Sequence, residues 1–433
     1  MRCLLILLFV IRILPESATI WGGTWSPLQL PTEWLNWKGL KLSISDIGFL
    51  FVALAAKENA PKNRAREMSK AMWLCVAALV VETLWGLIHG GSTYQVQFQV
   101  FPFLYAFVIA QAISKVMVTP EDFVSFGKIL LGATVYRACT CIVKYVVVVK
   151  TTGFPPFVAT THEDSVIFVM GIVMLLAYFI ETPGRVKKST AISAFICFVL
   201  LILAIPFNNR RLAWVSLVAS LIAIYALIPP STAKKKINRS LLKAAPFLIV
   251  YVAVGTGRPE PIFAPLAALS SVKSEDDPST RSRDVENAGL LVTLGPNPIL
   301  GTGWGIEYNE IDDTYSRAFK AGFAQYRYMP HNSLLAFVAF TGFLGFAAIW
   351  IVVPVSVLLN SRAHRIARRP AIRMVAMVGV CVAIIIANQG WGDLGLFAQV
   401  PMTLAGLAYA AAIRMPKAAE REWQLSQAQT RQP

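Results

Sequence analysis

The sequence predicts an all-α polytopic membrane protein of about twelve transmembrane helices, with one large loop on the outer face. Three observations predict it. First, of 433 residues, 56% are hydrophobic and only 15% charged, against ~25% charged in ordinary soluble domains. Too few charges remain to cover a water-facing surface, and the mean hydropathy is +0.57. Second, apolar runs near the ~20 residues a bilayer demands recur along the whole chain. Third, the basic residues gather in alternate short connections, as they do on the cytoplasmic side of membrane proteins. The same composition excludes a disordered chain, which would be polar and charge-rich. A net charge of +16 in a soluble protein would suggest nucleic acid. Here cytoplasmic loops account for it, and no nucleic-acid partner is expected.

The apolar runs fall at residues 1–14, 43–57, 71–89, 98–118, 124–149, 164–181, 190–207, 211–228, 241–255, 332–358, 374–389 and 396–414. The first two are short. Residues 1–14 open with Arg2 and an apolar stretch, as a signal peptide does, but Arg12 follows and no A-x-A-like site stands out. They read as a short retained span, with cleavage as the alternative. Basic connections lie at Lys57 to Lys70, Arg185 to Lys188, Lys234 to Lys243 and Arg362 to Arg373. All four fall on one side of the proposed helices, together with both termini. The chain then divides into N-terminal helices (1–255, about nine), a large outer loop (256–331), C-terminal helices (332–414, about three) and a polar tail (415–433). The six cysteines lie in apolar runs without a CxxC and read as packing residues.

The loop 256–331 is far longer than the usual connection. It contains Glu275-Asp276-Asp277 and Asp312-Asp313, and residues 283–294 read as a short amphipathic helix ending near Gly295-Pro296. Adjacent carboxylates in a flexible loop are more often solvated than metal-bound, so no metal site is expected. Three features converge on the outer face. One is Asn208-Asn209-Arg210-Arg211 between two apolar runs. Another is Arg281-Ser282-Arg283, followed by Leu300-Gly301-Thr302-Gly303-Trp304-Gly305. The last is His331-Asn332, where the chain re-enters the membrane.

Arginine is costly in hydrocarbon, and at a membrane rim it faces water, a partner or an anion. Its planar fork of donors matches phosphate oxygens. Two or three arginines at one spot can hold a lipid pyrophosphate without a metal, while the plainer role for Arg210 and Arg211 is snorkelling to headgroups. Asn332 suits an N-cap for the helix that follows. His331 is placed either to sit in the interface or to act as a general base near neutral pH. The glycines at 301–305 allow a sharp turn near a ligand or a helix end. They do not form a dinucleotide fingerprint, because no strand precedes them.

Taken together, Asn-Arg-Arg opening a helix, a large loop with its arginines, a P-x-x-G-x-G stretch from Pro298, and His-Asn leading into Gly342-Phe343-Leu344-Gly345 resemble the O-antigen ligase and polymerase superfamily. The resemblance covers residues 190–360 best. It implies a bacterial inner-membrane glycosyltransferase of the GT-C type, its large loop periplasmic. Such enzymes take a glycan from undecaprenyl pyrophosphate and pass it to an acceptor: lipid A-core in ligases, another lipid-linked repeat in polymerases. It implies no cofactor and no divalent metal, and makes a chain-length regulator a candidate partner. The family's helix-opening arginine falls on Arg210 or Arg211, its loop arginine on Arg283 with Arg281 second, and its loop histidine on His331. One departure is Asn287, where many relatives carry tryptophan. The expected roles are a diphosphate clamp from Arg283 with Arg210 or Arg211, and deprotonation or orientation of the acceptor hydroxyl by His331. Polymerase is the favoured reading and ligase the alternative. A glycan transporter or flippase is the competing class, disfavoured because the irregular backbone concentrates in one outer loop.

The substrate-binding candidates are Arg281, Asn332, Trp304, Arg137, Lys144, His162 and Glu163. Arg137 and Lys144 lie seven residues apart, on one helix face. Either they line the lipid-phosphate path, or Arg137 pairs with Glu82 at a similar depth. Glu163 and Asp164 suit a helix N-terminus; otherwise His162-Glu163-Asp164 is an acceptor-binding or second acid/base set facing the same cavity. Asp393 is a candidate sugar contact with Trp391, and an interfacial aromatic belt explains Trp391 equally well.

Overall fold

The computed structural model describes all residues except 14–18, 21–22, 25–34, 38–39, 58–63, 155–158, 183, 185, 231, 259–262, 264–265, 267–277, 312–326 and 431–433. The acidic runs at 275–277 and 312–313 thus lie outside the described residues. The described residues are mostly helical. After α1 (Arg2–Ile13) come two short antiparallel ladders, β1 (Thr19–Ile20) with β2 (Gly23–Thr24) and β3 (Leu35–Trp37) with β4 (Leu40–Leu42). Next are α2 (Ile44–Ala55), α3 (Arg66–Ile88), α4 (Thr93–Val116), α5 (Pro120–Thr152), α6 (His162–Glu181), α7 (Lys188–Asn208), α8 (Arg211–Leu227) and α9 (Thr232–Gly255). The long loop contributes α10 (Pro278–Leu294), which starts five residues before the expected 283 and ends where expected. α11 (Ser333–Trp350), α12 (Val352–Ile366), α13 (Pro370–Gly392) and α14 (Gln399–Thr430) complete the bundle.

Among the described residues, seven segments are long and apolar enough to cross a membrane: α3, α4, α5, α6, α7, the continuous pair α11–α12, and α13. The remaining five of the twelve expected runs also lie on helices. However, α1 and α2 have 12 residues and α8 has 17, while α9 and α14 include polar, charge-bearing stretches. All six cysteines are free.

Local sequence explains where the helices begin. Ser43 with Asp46, Thr119 with Asp122 and Thr161 with Asp164 form capping boxes at α2, α5 and α6, each satisfying backbone N–H groups that the first turn leaves open. α7 ends because Asn209 turns left-handed, at φ 49° and ψ 42°, a conformation Asn tolerates better than most residues. Arg210 and Arg211 therefore lie in a tight corner between α7 and α8.

The bundle core is built by α14, which packs on α4, α12 and α13, and by α13, which also packs on α6 and α8. Small residues allow close approach in α14. At Gly406 an added Cβ would lie 2.7 Å from Ile109 Cγ2 and 2.9 Å from the Ala106 carbonyl. α3 lies against α4, α11, α12 and α14, whereas α5 lies against α1, α6, α7 and α13. This arrangement corrects one expectation: Arg137 does not pair with Glu82. It pairs with Asp164 at 2.5 Å, both side chains buried, and its Nη1 donates to the Ile13 carbonyl at 2.9 Å. Glu82 is buried instead against Gly345 of α11. Similar depth did not make Glu82 and Arg137 neighbours, because their helices pack on different partners.

α11 is broken at Gly342, whose φ of 59° and ψ of −177° are non-helical. The break lies about 14 Å along the helix from Ser333, at 1.5 Å per residue. The loop after α10 enters it. Phe343 N donates to the Pro298 carbonyl at 2.9 Å and Leu344 N to that of Ile299 at 3.2 Å. On the loop's far side, Gly303 N donates to the Phe340 carbonyl at 2.6 Å and Trp304 N to that of Glu82 at 3.2 Å. Irregular backbone at such depth is tolerated only where protein satisfies its polar groups, and these bonds do so.

Candidate functional site

The end of the bundle where α7 meets α8 and the long loop meets α11 gathers most of the expected residues. Asn208 builds the corner. It is fully buried, accepts hydrogen bonds from the Thr160 N–H and hydroxyl at 3.0 Å each, and donates to the Thr161 carbonyl at 3.1 Å. The start of α6 is thereby locked to the end of α7, with His162 beside Arg210's corner.

His331 lies against α10. Glu286 Oε1 accepts the His331 backbone N–H at 2.6 Å and that of Asn332 at 3.3 Å, while Oε2 lies 3.0 Å from His331 Nδ1. Asn332 caps α11 through Leu335 N at 3.1 Å, as expected, and its amide donates to Asn287 Oδ1 at 3.0 Å. The residue that departs from the usual tryptophan thus holds the cap next to the histidine. Arg283 lies one helical turn before Glu286 on α10, half-buried.

Asp393, at the end of α13, ties the other side of the site together. Its side chain is almost fully buried, and His162 Nδ1 lies 2.7 Å from Oδ2. Gln389 Nε2 donates to Oδ2 at 3.1 Å and Leu394 N to Oδ1 at 2.8 Å. Ser333 Oγ donates to the Asp393 and Gly390 carbonyls at 3.1 and 3.0 Å, so the start of α11 is fixed to the same corner. Burial pushes the Asp393 carboxyl up, but the His162 hydrogen bond and charge, the Leu394 N–H and the His331 charge outweigh it and hold the carboxyl below its ordinary value.

The two arginines complete the arrangement. Burial, opposed by Asp393 and assisted by the Arg283 charge, lowers the Arg210 guanidinium from its ordinary value; it stays charged regardless. Arg210 Nε is buried with no hydrogen-bond partner among the described residues. Neither Arg210 nor Arg283 forms an ion pair within 4 Å among those residues. Arg210 and Arg283 are thus held within electrostatic range of each other, while the Glu286 and Asp393 carboxylates each face a histidine; guanidinium forks set this way suit an anion.

Other expected residues lie elsewhere or play other parts. Asp164 both caps α6 and neutralises Arg137, which keeps that arginine engaged below the rim. Glu163 interacts electrostatically with Arg137 and Arg12. Lys144 is half-buried two turns beyond Arg137 on α5, next to Tyr145, which stacks on Phe207 at 4.5 Å. Arg211 and Arg281 are both engaged with neighbours. Trp304 is fully buried, edge-on to Phe337 with ring centroids 4.8 Å apart. Its ring packs the loop between α3 and α11, closed to solvent, which corrects its place among the binding candidates. Trp391 is exposed at the rim. Glu286 and the His162–Asp393 pairing were not read from sequence; no local spacing links residues 45 positions apart.

Among the described residues no cluster of three or more His, Cys, Asp or Glu is arranged to hold a metal ion. An apolar cavity of about 470 Å³, lined by Phe123, Met170, Met174, Cys197, Met374 and Ala411, lies toward the opposite ends of α5, α6 and α7 and has no part in this polar site.

Residues 194–351 match the family model described as O-Antigen ligase. The matched segment includes Arg210, Arg211, Arg281, Arg283, Glu286 and His331, and leaves out His162 and Asp393. No curated protein matches the chain.

Proposed function

We propose that this chain, an O-antigen ligase-like membrane protein by its residues 194–351, is a metal-independent glycosyltransferase of the GT-C type. It draws a glycan from undecaprenyl pyrophosphate at the periplasmic face of the bacterial inner membrane, with both termini cytoplasmic. Within that class we assign it as a polymerase of lipid-linked repeats. Ligation to lipid A-core uses the same donor half of the site and agrees equally with the family match.

One observation carries the reading. Arg210 and Arg283 lie in electrostatic range of each other without ion-pair partners among the described residues, next to a histidine engaged by a carboxylate. A pyrophosphate diester supplies the missing negative charge, and guanidinium forks match its oxygens. In the transition state, charge builds on the departing diphosphate, where preorganised cations act most strongly. Glu286 holds His331 by Nδ1 and by the backbone, which presents Nε2 as the atom that takes the acceptor's proton. Asn332 and Asn287 fix the start of α11, so the base is positioned by two elements.

The test is reconstitution of the full chain in vesicles with lipid-linked repeat units. Longer glycans identify a polymerase, and transfer to added lipid A-core identifies a ligase. Arg283→Ala should abolish product while leaving the protein folded. Glycans of wild-type length from that variant would remove the clamp assignment.

A further inference from the structure

His162 and Asp393 belong to no part of the clamp or base just assigned, yet they adjoin both. The His162 side chain is 43% exposed and that of Asp393 only 6%. Asp393 is held by His162, Gln389 and Leu394, and it lies within electrostatic range of Arg210 and His331. A carboxylate fixed this firmly dictates the ring orientation and tautomer of the histidine it meets. Nδ1 is the nitrogen engaged, so Nε2 is the atom left for chemistry. The nearest acidic groups on α6 do not compete for that ring. Asp164 is paired with Arg137, and Glu163 faces Arg137 and Arg12.

We propose that His162, oriented by Asp393, is a second catalytic histidine: in its imidazolium form, with Nδ1–H on Asp393, its Nε2–H donates to the diphosphate oxygen that leaves the sugar. This rests on the glycosyl-transfer reading and adds to it. In the step, the acceptor oxygen bonds to the anomeric carbon and its proton passes to His331. The bond from that carbon to the diphosphate oxygen breaks, and the electron pair remains on that oxygen. The leaving group therefore gains a negative charge that the intact donor lacks. Arg210 and Arg283 face a charge present before and after the step. A protonated His162 answers the charge that appears during it, and such differential stabilisation is what accelerates chemistry.

The idea separates two ligands that the arginines alone treat alike. The experiment measures binding of undecaprenyl diphosphate and of undecaprenyl-diphospho-monosaccharide to the full-length protein in detergent. The proteins are wild type, His162→Gln, His162→Arg and Arg283→Ala. His162→Gln should weaken the free diphosphate by about tenfold, the scale of one charge-assisted hydrogen bond, and leave the intact donor within about twofold. His162→Arg, which keeps a cationic donor, should recover most of the loss. Arg283→Ala should weaken both ligands. If His162→Gln binds both ligands as wild type does, or loses both equally, the leaving-group role is overturned while the clamp stands. If wild type binds neither lipid, the parent reading falls and takes this one with it.

Discussion

Replacing Glu286 by glutamine tests the proposed role of His331 as a base. Glu286 accepts three hydrogen bonds, two from backbone N–H groups through Oε1 and one at His331 Nδ1 through Oε2. Glutamine retains one carbonyl oxygen, enough for the two backbone donors. Its amide nitrogen then faces Nδ1 and can only donate. The imidazole must carry its proton on Nε2, the atom that has to accept one. Stability should fall by only about 1–2 kcal/mol, the difference between a charge-assisted and a neutral hydrogen bond. The chemical step should slow by about 10²–10⁴, the range for loss of a general base, equal to about 2.7–5.5 kcal/mol of barrier. The assay is single-turnover glycan transfer in vesicles, with thermal unfolding in detergent as the control for folding. A Glu286→Gln protein that unfolds normally and transfers within threefold of wild type would refute the reasoning.

Gly342→Ala should lower thermal stability by at least about 1–3 kcal/mol, the cost of its backbone region for a residue with a Cβ, because that Cβ would lie 2.1 Å from the Ile299 carbonyl oxygen; an unchanged unfolding temperature would mean that the loop does not occupy the break. Breaking the Arg137–Asp164 pair with Asp164→Asn should cost about 3–5 kcal/mol, and a double-mutant cycle should find coupling between residues 137 and 164 and none between 82 and 137. Asp393→Asn should destabilise the protein at neutral pH. Because the Asp393 carboxyl is held below its ordinary value of 3.8, its contribution is fully present above that pH and fades as pH falls below it. Unfolding curves of the two proteins should therefore converge in acid, and a gap that persists unchanged to pH 2 would contradict the assignment.

Sequence reveals those parts of this molecule that are encoded locally. Apolar runs of bilayer length mark helices, and the pairs Ser43/Asp46, Thr119/Asp122 and Thr161/Asp164 mark where three of them begin. The order of Arg210, Arg283 and His331 along one loop and its flanks is also legible, because each stands at a boundary where hydropathy changes. What is not legible is which helix lies beside which. Equal depth suggested Glu82 for Arg137, but depth fixes only one coordinate, and packing gave Arg137 to Asp164. The same ambiguity hid His162–Asp393, whose partners come from α6 and the end of α13, and Glu286–His331, whose partners come from the loop helix and the chain's re-entry point. Trp304 misled for a related reason. An aromatic residue among glycines near a proposed sugar site invites a stacking role, yet those glycines exist to let the backbone pass. Gly303, at φ 88°, would place a Cβ 2.3 Å from Gly86 Cα, and Gly86 in turn admits the Trp304 backbone. The motif glycines therefore serve the site indirectly. They seat the loop in the break of α11 and against α3, and this seat fixes the far end of the segment that carries Arg283 and Glu286. The proposed charge clamp, with Arg283 carried on a long loop, needs such an anchor, because two arginines free to separate would relax away from each other.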